Sequence, residues 1–134
     1  MSVTLKKSTP VLVVERIEPA LAFWKKLGVE KVVDVSEGDH MGFAILAGQG
    51  IEVMYQTSES VNSDLVASSA TRGAFKQAPQ QGYLFLEVAS IQEVAKALAD
   101  EKLILPLRKT SYGATELGYL DRAGNVIVLA EMAG

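Results

Sequence analysis

The stretch VLVVERIEPALAFWKKLG, residues 11–28, decides the fold, because its pattern returns at residues 84–98 as LFLEVASIQEVAKAL. In each copy a short apolar run reads as a buried strand, and a helix follows at once. In the first copy Pro19 suits the opening helical turn, where a missing N–H does no harm. Ala20, Phe23, Trp24 and Leu27 then fall at i, i+3, i+4 and i+7, and Gly28 caps the end. In the second copy Ser90, with Glu93 three residues on, forms a capping box, and Ile91, Val94, Ala95 and Leu98 repeat the apolar face. This spacing assigns Trp24, the single tryptophan, to core packing.

Each helix is followed by three more strands. Lys31–Val35, Gly42–Ala47 and Ile51–Gln56 come first, separated by the turn Glu37–His40 and the tight turn Gly48–Gly50. Leu103–Leu107, Thr115–Leu120 and Val126–Glu131 complete the second set, with the turn Asp121–Asn125 between the last two. Pro106 places its strand at a sheet edge, since proline cannot donate to a ladder. The order βαβββ thus occurs twice, a little over seventy residues apart. The expected fold class is α+β, one domain over residues 1–134. Module one runs about 8–56, a connector about 57–82, and module two about 83–132. The connector is rich in Ser, Asn, Gln, Ala and Gly and reads as a linker, with a helical turn or two around Asp64–Ser69.

Composition excludes several functions. There are no cysteines, so disulfides, thiolate metal sites and cysteine nucleophiles are out. The net charge of −3 and the absence of a basic stripe argue against a nucleic-acid partner. No apolar stretch is long enough for a membrane span, and no signal core follows the polar start, so a cytoplasmic protein with no membrane partner is expected.

Three stretches resemble the vicinal oxygen chelate superfamily, also called the glyoxalase/bleomycin resistance/dioxygenase superfamily. Ala20–Gly28 is similar to its first-module helix, Ile51–Tyr55 to its fourth strand with an acidic residue, and Tyr112–Asn125 to its second-module hairpin. The resemblance covers nearly the whole chain. It implies two tandem βαβββ modules, forming curled mixed sheets around a cleft, in a homodimer. In metal-dependent members four His or Glu side chains hold a divalent ion. Carried over, the four positions fall at Thr9, Glu52, Tyr83 and Val128, so Glu52 is the only retained ligand candidate. A catalytic zinc or iron site needs about three protein ligands, so the resemblance is closest to metal-free, bleomycin-resistance-like members. No cofactor is expected, no catalytic residue is assigned, and the chain leans away from being an enzyme. His40, the single histidine, reads as an exposed turn residue.

Strand alternation, with Glu52 as reference, lists the cleft face. Strand four offers Glu52, Met54 and Gln56; strand one offers Thr9, Val11, Val13 and Glu15. Strand five offers Tyr83, Phe85 and Glu87, and the last strand Val126, Val128 and Ala130. Tyr112 and Glu116 join as rim candidates. An apolar and aromatic face with a few carboxylates has the make-up of a small-molecule site; Glu15, Glu52 and Glu87 favour a cationic or hydrogen-bond-donating ligand, and a cationic or aromatic compound is expected. Three readings follow. The first is a metal-free small-molecule binding protein. The alternative is a divalent-metal-dependent lyase, isomerase or extradiol dioxygenase with a metal site rebuilt from Glu52, Glu15 and Glu87. The third is a module acting through its dimer surface.

Overall fold

A computed structural model describes residue 4 and residues 6–63 and 83–133 of the chain. The elements are β1 (Val11–Val14), α1 (Glu18–Lys25), β2 (Glu30–Glu37), β3 (His40–Gly48), β4 (Ile51–Thr57) and α2 (Ser58–Val61). Module two follows with β5 (Tyr83–Glu87), α3 (Ile91–Ala97), β6 (Leu103–Lys109), β7 (Ala114–Leu120) and β8 (Val126–Met132). β1 has the expected bounds, β2 and β3 are each three residues longer than the sequence suggests, and β4, β6, β7 and β8 one or two longer. A short helix opens the connector at Ser58; the turns expected around Asp64–Ser69 lie outside the described residues.

Two four-stranded mixed sheets result, ordered β1-β4-β3-β2 and β5-β8-β7-β6. In each, the first strand runs parallel to the fourth, with Val11 opposite Met54 and Phe85 opposite Val128. The remaining pairs are antiparallel. β6, which carries Pro106, is an edge strand as expected. Local chemistry sets the helix ends: Pro19 lies in the first turn of α1, and the Ser90 hydroxyl accepts the Glu93 N–H at 3.3 Å to cap α3.

The β3–β4 hairpin shows why its turn is Gly48-Gln-Gly50. Gln49 and Gly50 have φ of 53° and 78°, the paired positive values of a tight hairpin turn. Gln49 Nε2 donates to the Leu27 carbonyl at 2.7 Å, holding the turn against the end of α1. There the backbones touch: a Cβ on Gly48 would meet the Gly28 carbonyl oxygen at 2.2 Å.

One core joins the modules. Val14, Phe23, Trp24, Leu46, Val53 and Tyr55 from module one share a buried cluster with Ile91, Val94, Leu98, Leu117, Ile127 and Leu129 from module two. A hydrogen-bonded chain crosses it. Trp24 Nε1 donates to Tyr55 Oη at 2.8 Å, and Tyr55 Oη donates to Asp121 Oδ2. The other Asp121 oxygen accepts the N–H groups of Ala123 and Asn125, at 2.8 and 2.9 Å, shaping the β7–β8 turn. Lys26, just past α1, reaches Glu101 at 2.6 Å, and Arg122 grips the same carboxylate with two bonds.

Candidate functional site

The side chains facing this core are one set of alternating residues on β1, β3, β4, β5, β7 and β8. The other set faces away. On β4, Val53, Tyr55 and Thr57 are buried while Glu52, Met54 and Gln56 are half-exposed. The parallel register sets Val11 and Val13 beside Met54 and Gln56, and β3 adds Phe43 and Ile45 across from Gln56 and Met54. Glu15 is exposed just past the end of β1. On the second sheet, Tyr83, Phe85 and Glu87 lie beside Val126, Val128 and Ala130, backed by Leu120, Gly118 and Glu116 of β7. The structure therefore gathers the sequence-derived site residues onto two faces, one per module; on the second, Tyr83 and Phe85 are exposed while Val128, Ala130 and Glu116 are buried.

It does not close those faces on each other. Both sheets contribute their helix-side faces to the shared core. Tyr83 remains 64% and Phe85 45% exposed. The cavity found among the described residues, about 500 Å³, lies instead between the modules on the helix side. Trp24, Leu27, Ile51, Glu93, Val94 and Ala97 contribute to its walls, and Glu87, read as a cleft residue, also borders it.

Glu52 is not a free anion. Its Oε1 accepts the Thr9 hydroxyl at 2.6 Å, and its Oε2 meets the Lys7 ammonium at 2.8 Å. The Lys7 bond first, then that from Thr9, holds its carboxyl below the usual carboxylate range. Thr9 and Glu52 are the first two positions where the family would place metal ligands, so the local charge there is already balanced by a lysine. Across the second sheet the ladder sets Tyr83 opposite Val126 and Phe85 opposite Val128. A valine stands there under either register. These residues do not fit a catalytic divalent metal: they supply one carboxylate, engaged with a cation, and no imidazole. Nor do Glu15, Glu52 and Glu87 form a group: among the described residues the three His and carboxylate side chains whose ligand atoms all come within 4.8 Å of one another are Glu37, His40 and Glu59. The negative face expected from those three carboxylates is reduced to Glu15 and Glu87, both exposed.

Glu116 is the feature of the second face that alternation underplayed. It is 2% exposed, with Arg108 from β6 at 2.7 Å on one oxygen and the Tyr112 hydroxyl donating at 3.1 Å to the other. Burial of the hydroxyl and the bond to Glu116 push the Tyr112 phenol up. Arg108 went unread in the sequence, although it sits directly opposite Glu116 in the β6–β7 register; following alternation one strand further would have found it. His40 also departs from its reading as an exposed turn residue. It opens β3 opposite Glu37, and its side chain is 13% exposed.

No helix among the described residues is long and apolar enough to cross a membrane. No family model matches the chain, and no curated protein matches it. Solved structures do. A glyoxalase/bleomycin resistance protein/dioxygenase family enzyme from Burkholderia phytofirmans PsJN is 17% identical with a TM-score of 0.68, covering 93% of this chain and 97% of that one. TioX from Micromonospora sp. ML1 is 12% identical with a TM-score of 0.69, over 95% and 98%. A glyoxalase-related enzyme from Fulvimarina pelagi is 16% identical with a TM-score of 0.66, over 95% and 88%. At such identities the likeness establishes the fold, and at that level the resemblance read in the sequence holds: the chain has the glyoxalase/bleomycin resistance fold.

Proposed function

We propose, from this fold and the lost ligand set, that the chain is a metal-free small-molecule binding protein of the vicinal oxygen chelate superfamily. Its ligand is an aromatic compound held against the open sheet faces, and a second copy of the chain covers them. The observation that carries the reading is the Lys7–Glu52–Thr9 cluster at the inherited metal-ligand positions. A lysine ammonium already stands where an ion would need that carboxylate. This same pair weakens the cationic half of the sequence expectation. The exposed Tyr83 and Phe85, with Met54, Val11 and Val13, favour aromatic and apolar contact. Exposed apolar residues in such a patch mark an interaction surface.

The test is a thermal-shift screen of EDTA-treated protein against aromatic and cationic compounds, alongside sedimentation at several concentrations. A ligand that binds the folded state raises Tm by mass action without any metal. Hits that are aromatic, and that weaken about tenfold in Phe85→Ala, support the proposal. Ligand binding or turnover that appears only with added metal, and disappears in Glu52→Gln, would replace it with the metal-dependent enzyme reading.

A further inference from the structure

We propose that Glu37, His40 and Glu59 form a binding site for a divalent late first-row metal ion, with zinc as the reference ion, at the tip of the β2–β3 hairpin. The site is separate from the open faces and from Glu52, so it stands or falls independently of the ligand reading above.

Three observations carry it. One ligand atom from each of the three residues lies within 4.8 Å of the others. His40 Nε2 is 3.8 Å from Glu37 Oε1. Ligand atoms on a tetrahedral ion at 2.0–2.1 Å stand about 3.3 Å apart, so binding requires a modest contraction, led by the exposed Glu59 side chain of α2.

The imidazole is also oriented. Its Nδ1 lies 3.1 Å from Asp39 Oδ1. An ionised carboxylate only accepts, so Nδ1 donates to Asp39, and the neutral imidazole then presents its Nε2 lone pair toward Glu37. A carboxylate behind a metal-ligating imidazole fixes the tautomer and raises ligand basicity in just this way.

Finally, the backbone makes room for Glu37. Gly42 stands beside it, and a Cβ there would crowd Glu37 Cβ at 2.9 Å and Oε2 at 3.0 Å. Thr57 Oγ1 donates to Glu37 Oε1 at 3.3 Å from the end of β4. The carboxylate is thus held by Thr57 in space that Gly42 leaves open beside His40.

One imidazole with two carboxylates is a borderline donor set. It prefers zinc and nickel to manganese, and all three to magnesium, and leaves positions for water. A bound ion joins the hairpin tip to α2.

The experiment is calorimetric titration of EDTA-stripped full-length protein with Zn²⁺, Ni²⁺, Mn²⁺ and Mg²⁺, backed by the visible bands of bound Co²⁺. One equivalent of zinc is expected, with nickel comparable, manganese weaker and magnesium silent. His40→Ala and Glu59→Gln each lower zinc affinity at least tenfold, and Asp39→Asn about tenfold. Glu52→Gln leaves it unchanged. Glu59 is exposed, so its variant keeps the fold even if His40→Ala disturbs the hairpin. Absence of stoichiometric zinc binding, binding that survives both His40→Ala and Glu59→Gln, or binding lost in Glu52→Gln overturns the proposal.

Discussion

Replacing Tyr55 with phenylalanine tests whether the hydrogen-bonded chain from Trp24 to Asp121 holds the two modules together. The ring is fully buried and would stay in place, so the change removes only the hydroxyl. Two buried groups lose their partner at once. The Trp24 N–H loses its acceptor, and Asp121, itself fully buried, loses one donor of three. An unsatisfied buried donor costs about 1–3 kcal/mol and a lost bond to a charged group about 1.5–3. A joint loss of about 3 kcal/mol is therefore expected, against a domain stability of roughly 5–15. For a domain of this length that lowers Tm by about 10 °C. The assay is urea unfolding followed by the fluorescence of Trp24, with calorimetry for Tm. A pH series adds a second readout. Burial, then the Asp121 carboxylate, raises the folded-state phenol above its ordinary value. Its contribution is therefore complete below pH ~10, where an unfolded tyrosine ionises, and is lost as pH rises through the folded value. Wild type should lose stability above pH ~10 more steeply than Tyr55→Phe. A loss under about 1 kcal/mol with parallel alkaline limbs would refute the reasoning.

Three further outcomes are expected. Glu101 is held at a pKa of about 2, first by Arg122 and then by Lys26; its stabilisation is present above the unfolded value near 4.3 and is lost as pH falls through 2. Glu101→Gln should cost about 2 kcal/mol at neutral pH and flatten the acid limb of an unfolding curve. Gly48→Ala forces a Cβ onto the Gly28 carbonyl and should cost about 1–3 kcal/mol in urea unfolding, since the atom it meets is backbone and cannot swing aside. Lys7→Ala removes the main cause of the low Glu52 carboxyl, whose NMR titration should then move to higher pH with little change in Tm.

Much of this architecture was legible because it is periodic. The i, i+3, i+4, i+7 spacing around Trp24 and around Val94 placed both helices, and strict alternation placed Glu52, Met54 and Gln56 opposite Val53 and Tyr55. What alternation cannot supply is the identity of whatever lies across from a face. Lys7 and Glu52 are 45 residues apart and outside any shared element, so no local pattern announces their pair. Nor could it say that both modules would spend their helix sides on one core, because that depends on the fit of Trp24, Tyr55 and Asp121 across 66 residues of chain and more. His40 misled for a different reason. A histidine beside Gly38 and Asp39 has the company of a turn, yet β3 begins on it and its side chain is largely covered.

The alternation on β4 has one more consequence. Tyr55 is committed to the core, whereas Met54 and Gln56, its immediate neighbours, contribute nothing to the contact between modules. Under the function proposed above, folding and recognition fall on adjacent residues of the same strand. A lineage can rewrite the recognition residues one by one without risking collapse of the scaffold, so descendants of such a chain should diverge in what they hold long before they diverge in shape.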